Sequence, residues 1–275
     1  GLGDPPRGRV AASGDLGFLK FAVFPADNGT FSITLAVPEV EERLRAAVVR
    51  PEILDQICQR LPGIAPWTDP AHSRAVSKVH AMGELESRWR DFVVGGRPAA
   101  RNLFSVGDSL ARTNPLYGRG CSFAVIEAHL LRDVLCDEAD PDARALAYDR
   151  LVRRELRPFY DDMVRQDRSA AKRAQAELDP DAKPSLRSRL IHAFVEDGVA
   201  IALRQDIELF RQAMRAFHML APPARWLLRP ATLAKVMRVW ARGRRANAPL
   251  YREPPGPRRP EMLAALGLPA TAKLA

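Results

Sequence analysis

The alternation of apolar and polar positions predicts a β-hairpin near the start of the chain. Residues 16–37 contain two runs rich in Phe, Val, Ile and Thr, separated by turn-forming residues at 25–30. In the second run Phe31, Ile33 and Leu35 alternate with small or polar residues, so one face of that strand is expected to be apolar. Such a sheet can cover a cavity.

Helical spacing and Pro residues organise the rest of the chain. Residues 38–61 predict two short helices divided at Pro51, with acidic residues in the first turn where negative charge suits the helix dipole. Residues 75–94 predict one or two further strands, and residues 103–106 a short buried parallel strand. A helix is predicted over 119–136, and the region from 141 to 275 is almost entirely helix-forming.

Composition limits the class of protein. The chain has 275 residues, of which 47% are hydrophobic, and charged residues interrupt every apolar run before the ~18 residues of a membrane-spanning helix are reached. The three cysteines lack CxxC spacing and the five histidines lack ligand spacing, so neither disulfides nor a metal site are expected. We therefore expect a cytoplasmic protein, with contact at the membrane periphery as the alternative.

The charge leaves two interpretations open. A net charge of +9 could favour nucleic acid or anionic lipid, but Arg is spread over the whole length, which favours an ordinary solvating role and no specific nucleic-acid partner. Leu233, Val236, Met237 and Trp240 share one face of a basic helix. That helix could lie on an anionic membrane or pack on the core like any amphipathic surface helix.

Residues 103–120, LFSVGDSLARTNPLYGRG, carry the clearest chemistry. Gly107 allows a sharp turn, so that Asp108 can present an acceptor carboxylate to a sugar or ribitol hydroxyl. Pro115 stiffens the loop, while Gly118 and Gly120 leave bare peptide against which a planar ligand could lie. The N-terminus of the following helix offers unpaired N–H groups that stabilise negative charge.

The stretch GDSLARTNPLYGRG resembles the second flavin-binding motif of the para-hydroxybenzoate hydroxylase class of FAD-dependent oxidoreductases, a superfamily that includes flavin-dependent halogenases and geranylgeranyl reductases. The resemblance implies that Gly107 and Asp108 form the ribitol-binding corner and that Pro115 lies beside the isoalloxazine. It also implies that the backbone of Gly118, Arg119 and Gly120 contacts the cofactor closely, with the helix N-terminus facing the pyrimidine edge.

Two features of the corner depart from the family pattern, and a larger departure lies outside it. Ser109 stands where the family usually has Ala, and the frequent His of that corner is absent. No strand followed by GxGxxG occurs in the sequence, so we expect the adenine half of the site to precede Gly1 or to be lost, and these residues alone to bind FAD poorly.

The fold implied by the resemblance is α+β: a truncated FAD-binding, glutathione reductase-like fold. It would comprise an antiparallel-sheet substrate-binding portion (1–95), the C-terminal part of the FAD-binding domain (96–137) and a large helical C-terminal region (138–275).

The expected activity is that of an FAD-dependent monooxygenase, with NAD(P)H as electron donor and a largely apolar small molecule as substrate. A halogenase, a dehydrogenase or a reductase is the alternative within flavoenzymes, and a non-catalytic basic helical module that binds membrane or nucleic acid is the alternative outside them. No general base is assigned.

Candidate substrate-pocket residues come from the hairpin and from the glycine-rich loop: Phe18, Phe24, Phe31, Ile33, Asn114 and Tyr117. Core packing alone would produce the same hairpin pattern. Asn114 could equally bond its own backbone, and Tyr117 could simply pack. Arg112 and Arg119 could pair with FAD phosphates or lie solvated at the surface.

Overall fold

The structure, a computed structural model, describes residues 11–83, 85–179, 185–223 and 225–271. The chain divides into two compact units. Unit 1 contains residues 1–81, 169–186 and 251–275, and unit 2 contains residues 82–168 and 187–250. These boundaries differ from those of the three segments that the sequence suggested, because unit 1 is assembled from three separate stretches of chain.

In the described residues all strands lie in the first half of the sequence, and only helices follow β7. The strands are β1 (Ser13–Asp15), β2 (Lys20–Pro25), β3 (Phe31–Ala36), β4 (Arg88–Trp89), β5 (Val93–Val94), β6 (Arg97–Pro98) and β7 (Ala111–Arg112). The α-helices are α1 (Glu42–Val48), α2 (Pro51–Arg60), α3 (Gly120–Asp137), α4 (Pro141–Glu155), α5 (Arg157–Glu177), α6 (Leu186–Ala193), α7 (Ala200–Gln205), α8 (Ile207–Phe217), α9 (Pro230–Ala241), α10 (Gly243–Ala246) and α11 (Arg259–Ala265).

Unit 1 is built on an antiparallel sheet of order β1-β2-β3. The predicted hairpin is confirmed: β2 and β3 pair with Val23 opposite Ile33, and burial along β3 follows the expected alternation. Pro51 begins α2 two residues after α1 ends at its cap, as the sequence predicts. The core joins the sheet, α1, α2 and α11, with Met262 and Leu263 of α11 buried in it.

Unit 2 has a helical core beneath short strands. α3, α4 and the first half of α5 bury Phe123, Tyr148, Val152, Leu156 and Met163 in one cluster. β4 pairs with β7 and β5 with β6, both antiparallel. The predicted helix over 119–136 is confirmed as α3, and its stripe of buried residues faces this cluster.

The strand prediction for residues 75–94 is confirmed only in its second half. Residues 75–83 form no strand, but the two-residue strands β4 and β5 lie at 88–89 and 93–94. Residues 103–106 form no strand either, since none of the described strands pairs with them. Their polar backbone groups bond side chains instead: Tyr148 Oη donates to the Ser105 carbonyl, and Val106 N–H donates to Ser109 Oγ.

The described residues therefore form a mixed helix-and-sheet structure of the α+β kind, with small antiparallel sheets. The helix-rich character predicted after residue 141 is confirmed by α4 to α11. No helix in the described ranges is both long enough and apolar enough to span a bilayer.

Candidate functional site

Residues 107–109 form the corner at which the candidate site is built, and they lie in unit 2. Gly107 has φ +67°, a left-handed conformation that side chains disfavour. The corner packs against α3, because a Cβ on Gly107 would lie 3.5 Å from Ala124 Cβ. Ala124 lies four residues after Gly120, about 6 Å along the helix axis. The corner therefore sits close to the N-terminal end of α3, as the motif predicts.

Ser109, the residue that departs from the family pattern, holds the corner together. Its hydroxyl accepts from Ser105 Oγ at 2.8 Å and from Val106 N–H at 3.2 Å, and donates to the Val106 carbonyl at 2.7 Å. Arg90 donates from Nη1 to the Asp108 and Ser109 carbonyls at 2.9 and 3.0 Å. With its backbone fixed in this way, Asp108 is exposed, and no hydrogen bond from the described residues reaches its carboxylate.

Glu127 of α3 is the carboxylate that sequence reasoning missed. It is fully buried, and one of its oxygens accepts the Gly107 N–H while the other, Oε1, has no partner among the described residues. Burial, and secondarily the Asp108 carboxylate, raises the pKa of Glu127 to about 7. The available signal was a charged residue on the apolar stripe of α3, four residues after Phe123.

Asp167 of α5 accepts hydrogen bonds from the loop that follows the corner. Asn114 Nδ2 and Tyr117 Oη donate to Asp167 Oδ1 at 2.9 and 3.0 Å. Asn114 Oδ1 also accepts Leu116 N–H, and burial followed by the Asp167 contact raises the pKa of the Tyr117 phenol. These bonds support the packing interpretation of both residues rather than a position against substrate. Nothing in the sequence around Asp167 indicates that it binds this loop.

The glycines at the tip of α3 differ in what they require. Gly118 has φ +62° and caps a short 3-10 helix at Pro115–Tyr117, so its backbone calls for glycine. Gly120 opens α3, and a Cβ there would contact Thr113 Oγ1 at 3.8 Å, an ordinary van der Waals distance. Packing among the described residues therefore does not require glycine at 120. Pro115 and Gly118 are exposed on the same loop.

Arg119 lies at the same tip, but its side chain turns inward. The residue is 7% exposed, and Nη2 donates to the Phe217 carbonyl at 3.0 Å, at the C-terminal end of α8. Its guanidinium also lies over the Tyr117 and Phe217 rings. Burial lowers its pKa, and its cation meets the negative end of the α8 dipole. The side chain thus holds α8 to the loop, which leaves only the backbone of Arg119 for a cofactor.

An open crevice of about 610 Å³ borders the corner. Its lining comprises Arg90, Phe92, Ser105, Asp108, Ser109 and Arg112. Of the predicted cofactor residues only Asp108 lines it; Pro115, Gly118, Arg119 and Gly120 lie along the adjoining loop and helix tip instead. Its lining thus brings two Arg side chains and a carboxylate together with one aromatic ring.

The four hairpin residues proposed as a substrate wall belong to unit 1 and do not share one surface. Phe18 is buried in the core of that unit, and Phe31 and Ile33 pack against the same core. Phe24 pairs with Ser32, so it points to the opposite face of the sheet and is exposed. Core packing accounts for Phe18, Phe31 and Ile33.

Among the described residues no group of three or more His, Cys, Asp or Glu side chains is arranged to hold a metal ion. Comparisons of the chain with protein-family models, with curated proteins and with solved structures give no match.

Proposed function

We propose that this chain contributes the ribitol- and ring-binding part of an FAD-dependent oxidoreductase, with NAD(P)H as electron donor and a largely apolar small molecule as substrate in a monooxygenase reaction. The observation that carries the proposal is the corner at residues 107–109, held against α3 by Glu127, with an exposed carboxylate on an open crevice. The choice of a monooxygenase over a reductase or halogenase rests on the resemblance of the motif.

The residues present fit the flavin half of FAD. A ribitol chain offers several hydroxyl donors, and the Asp108 carboxylate is an acceptor with open space in front of it. The loop from Pro115 to Gly120 is exposed at Pro115 and Gly118, and it bears no side chain at 118 or 120, so a flat ring can approach the backbone. FAD supplies the redox chemistry, and the protein supplies position and electrostatics.

Helix α3 supplies the electrostatic contribution. It has 18 residues, and the N–H groups of its first turn point out of its N-terminus at Gly120. The helix dipole adds about half a positive charge at this end. Negative charge on the pyrimidine edge of a reduced ring would therefore be stabilised by a fixed dipole that needs no rearrangement.

The test is flavin binding by the complete gene product that contains this chain. We expect Asp108→Ala to weaken FAD binding about 10- to 100-fold, the range for losing hydrogen bonds to a charged acceptor. The affinity would be measured by quenching of flavin fluorescence and by the visible spectrum. Asp108→Asn keeps an acceptor and should lose less.

Asp27→Ala is the matched control, because Asp27 is an exposed aspartate in the hairpin turn of unit 1. It should leave FAD affinity unchanged. Circular dichroism would establish that each variant is folded. An Asp108→Ala protein that is folded and binds FAD as tightly as the parent would contradict the proposal.

A further inference from the structure

Positive charge is concentrated in one stretch of unit 2. Residues 209–250 contain no Asp or Glu. They contain nine basic residues: Arg211, Arg215, Arg225, Arg229, Lys235, Arg238, Arg242, Arg244 and Arg245. Removing these nine from the 42 Lys and Arg of the chain leaves 33, which equals the number of Asp and Glu. Although Arg occurs throughout the sequence, the whole net charge of +9 is therefore located here.

The same stretch exposes large apolar side chains. On α9, Val236 and Val239 face inward, while Leu233 and Met237, one turn apart, are 42% and 43% exposed. In the segment before α9, Leu220 is 66% and Leu228 77% exposed. The sequence placed Val236 and Trp240 on one face with Leu233 and Met237, but Val236 is buried and Trp240 packs against Phe194. Leu233 and Met237, by contrast, stay exposed to solvent.

Four exposed Arg residues of this stretch have no carboxylate partner among the described residues. Lys235 pairs with Asp206, Arg244 with Asp197 and Arg211 with Glu208. Within the described ranges no carboxylate pairs with the exposed guanidinium groups of Arg225, Arg229, Arg238 and Arg242. Arg238 and Arg242, four residues apart, form a stripe next to Met237.

We define the basic apolar surface as the exposed residues Leu220, Arg225, Leu228, Arg229, Leu233, Met237, Arg238 and Arg242. We propose that this surface docks on an anionic lipid bilayer. Aliphatic side chains can enter the boundary between headgroups and acyl chains while Arg heads reach lipid phosphates. Charge complementarity supports this partner, because no acidic residue of the stretch would be brought against the negative surface.

The inference does not depend on flavin binding, and its test uses the apo chain. Co-sedimentation would be measured with vesicles of equal parts phosphatidylglycerol and phosphatidylcholine, and with vesicles of phosphatidylcholine alone. We expect binding to the anionic vesicles that weakens as salt is raised, and little binding to the neutral ones. Equal binding to both, or none to either, would overturn the proposal.

The electrostatic part is tested by the double variant Arg238→Gln/Arg242→Gln. Each basic residue near an anionic surface is worth about a fivefold change in binding, so the pair should lower affinity about 25-fold. The control is Arg74→Gln/Lys78→Gln, which removes the same charge from exposed positions of unit 1. An equal loss in the control would mean that net charge alone drives binding and would refute the assigned surface.

The apolar part is tested by Leu228→Ser, with Val76→Ser as control, since Val76 is 75% exposed in unit 1. If the Leu228 side chain is buried in the bilayer, Leu228→Ser should weaken vesicle binding about tenfold or more. The control should bind as the parent does. Both side chains are exposed, so folding should be retained.

The same measurements distinguish two other partners for the basic apolar surface, nucleic acid and a second copy of the chain. Duplex DNA binding that needs the Arg238/Arg242 pair, with vesicle binding unaffected by Leu228→Ser, would replace the bilayer by nucleic acid. A dimer that Leu228→Ser converts to a monomer, with unchanged vesicle binding, would show that a second copy covers the surface. Either result would overturn the lipid proposal.

Discussion

At the scale of single residues, Glu127 decides how the corner is held. Its carboxylate accepts the Gly107 N–H from inside the unit 2 core, and that bond fixes the turn which directs Asp108 outward. A buried carboxylate costs free energy in its charged form. Its pKa of about 7, against an ordinary 4.5, means that the folded protein holds a proton there that the unfolded chain releases.

We predict that the stability of the protein depends on pH through Glu127. Between about 4.5 and 7 the folded state binds more protons at Glu127 than the unfolded state, so this residue lowers the free energy of unfolding as pH rises through that window. Glu127→Gln cannot ionise and can still accept the Gly107 N–H. We expect it to be more stable than the parent at pH 8, by up to about 3 kcal/mol, and not at pH 4.

Urea unfolding of parent and variant at pH 4, 6 and 8 measures this difference. Glu39→Gln, at an exposed position of unit 1, is the control and should follow the parent at every pH. A constant difference between Glu127→Gln and the parent across the range would show that Glu127 does not titrate within it.

At the scale of elements, an ion pair in unit 1 joins parts of the chain that are 218 residues apart. Arg259, the first residue of α11, donates from Nε and Nη2 to both oxygens of Glu41, the residue before α1, and from Nη1 to the Ala270 carbonyl. Both side chains are largely buried. The sequence suggested only that acidic residues here suit the helix dipole; the partner could not be foreseen because nothing local connects the two.

We predict that Glu41→Gln lowers the free energy of unfolding by about 3 kcal/mol, because it leaves a buried guanidinium without its counter-charge. The double variant Glu41→Leu/Arg259→Met should recover most of this loss, since it removes both charges and fills the same space. Thermal and urea unfolding measure both. A double variant that is as unstable as the sum of the two single changes would argue that the ion pair itself is not responsible.

At the scale of the whole molecule, the compact units do not follow the order of the sequence. The core of unit 1 is formed by the sheet and first helices within residues 18–67, and residues 262–268 pack against them. Short helices such as α11, with seven residues, are not stable alone, so most of their stability comes from packing. The C-terminal segment is therefore part of unit 1 rather than an independent helical tail.

This arrangement predicts a large effect from Met262→Ala, a change in the fully buried Met of α11. The free energy of unfolding should fall by about 3 kcal/mol, as for other large-to-small changes in cores. Met82→Ala, at a residue that is 76% exposed, is the matched control and should stay within about 0.5 kcal/mol. Similar losses in the two variants would contradict the position of α11 in the core.

The sequence by itself determined the features that depend on neighbouring residues. The hairpin, the division of α1 from α2 at Pro51, helix α3 and the sharp turn at Gly107 follow from local periodicity and backbone freedom, and all are present. The segment 103–106 failed as a strand because a strand needs a partner, and local pattern cannot supply one.

Only the tertiary structure decided which side chains meet. It placed Glu127 under Gly107, Asp167 beneath Asn114 and Tyr117, and the Arg119 side chain against the end of α8. It also separated the buried side of α9 from the exposed Leu233 and Met237. These contacts join residues 20 to 98 positions apart, at distances where periodicity carries no information and burial alone selects the partner.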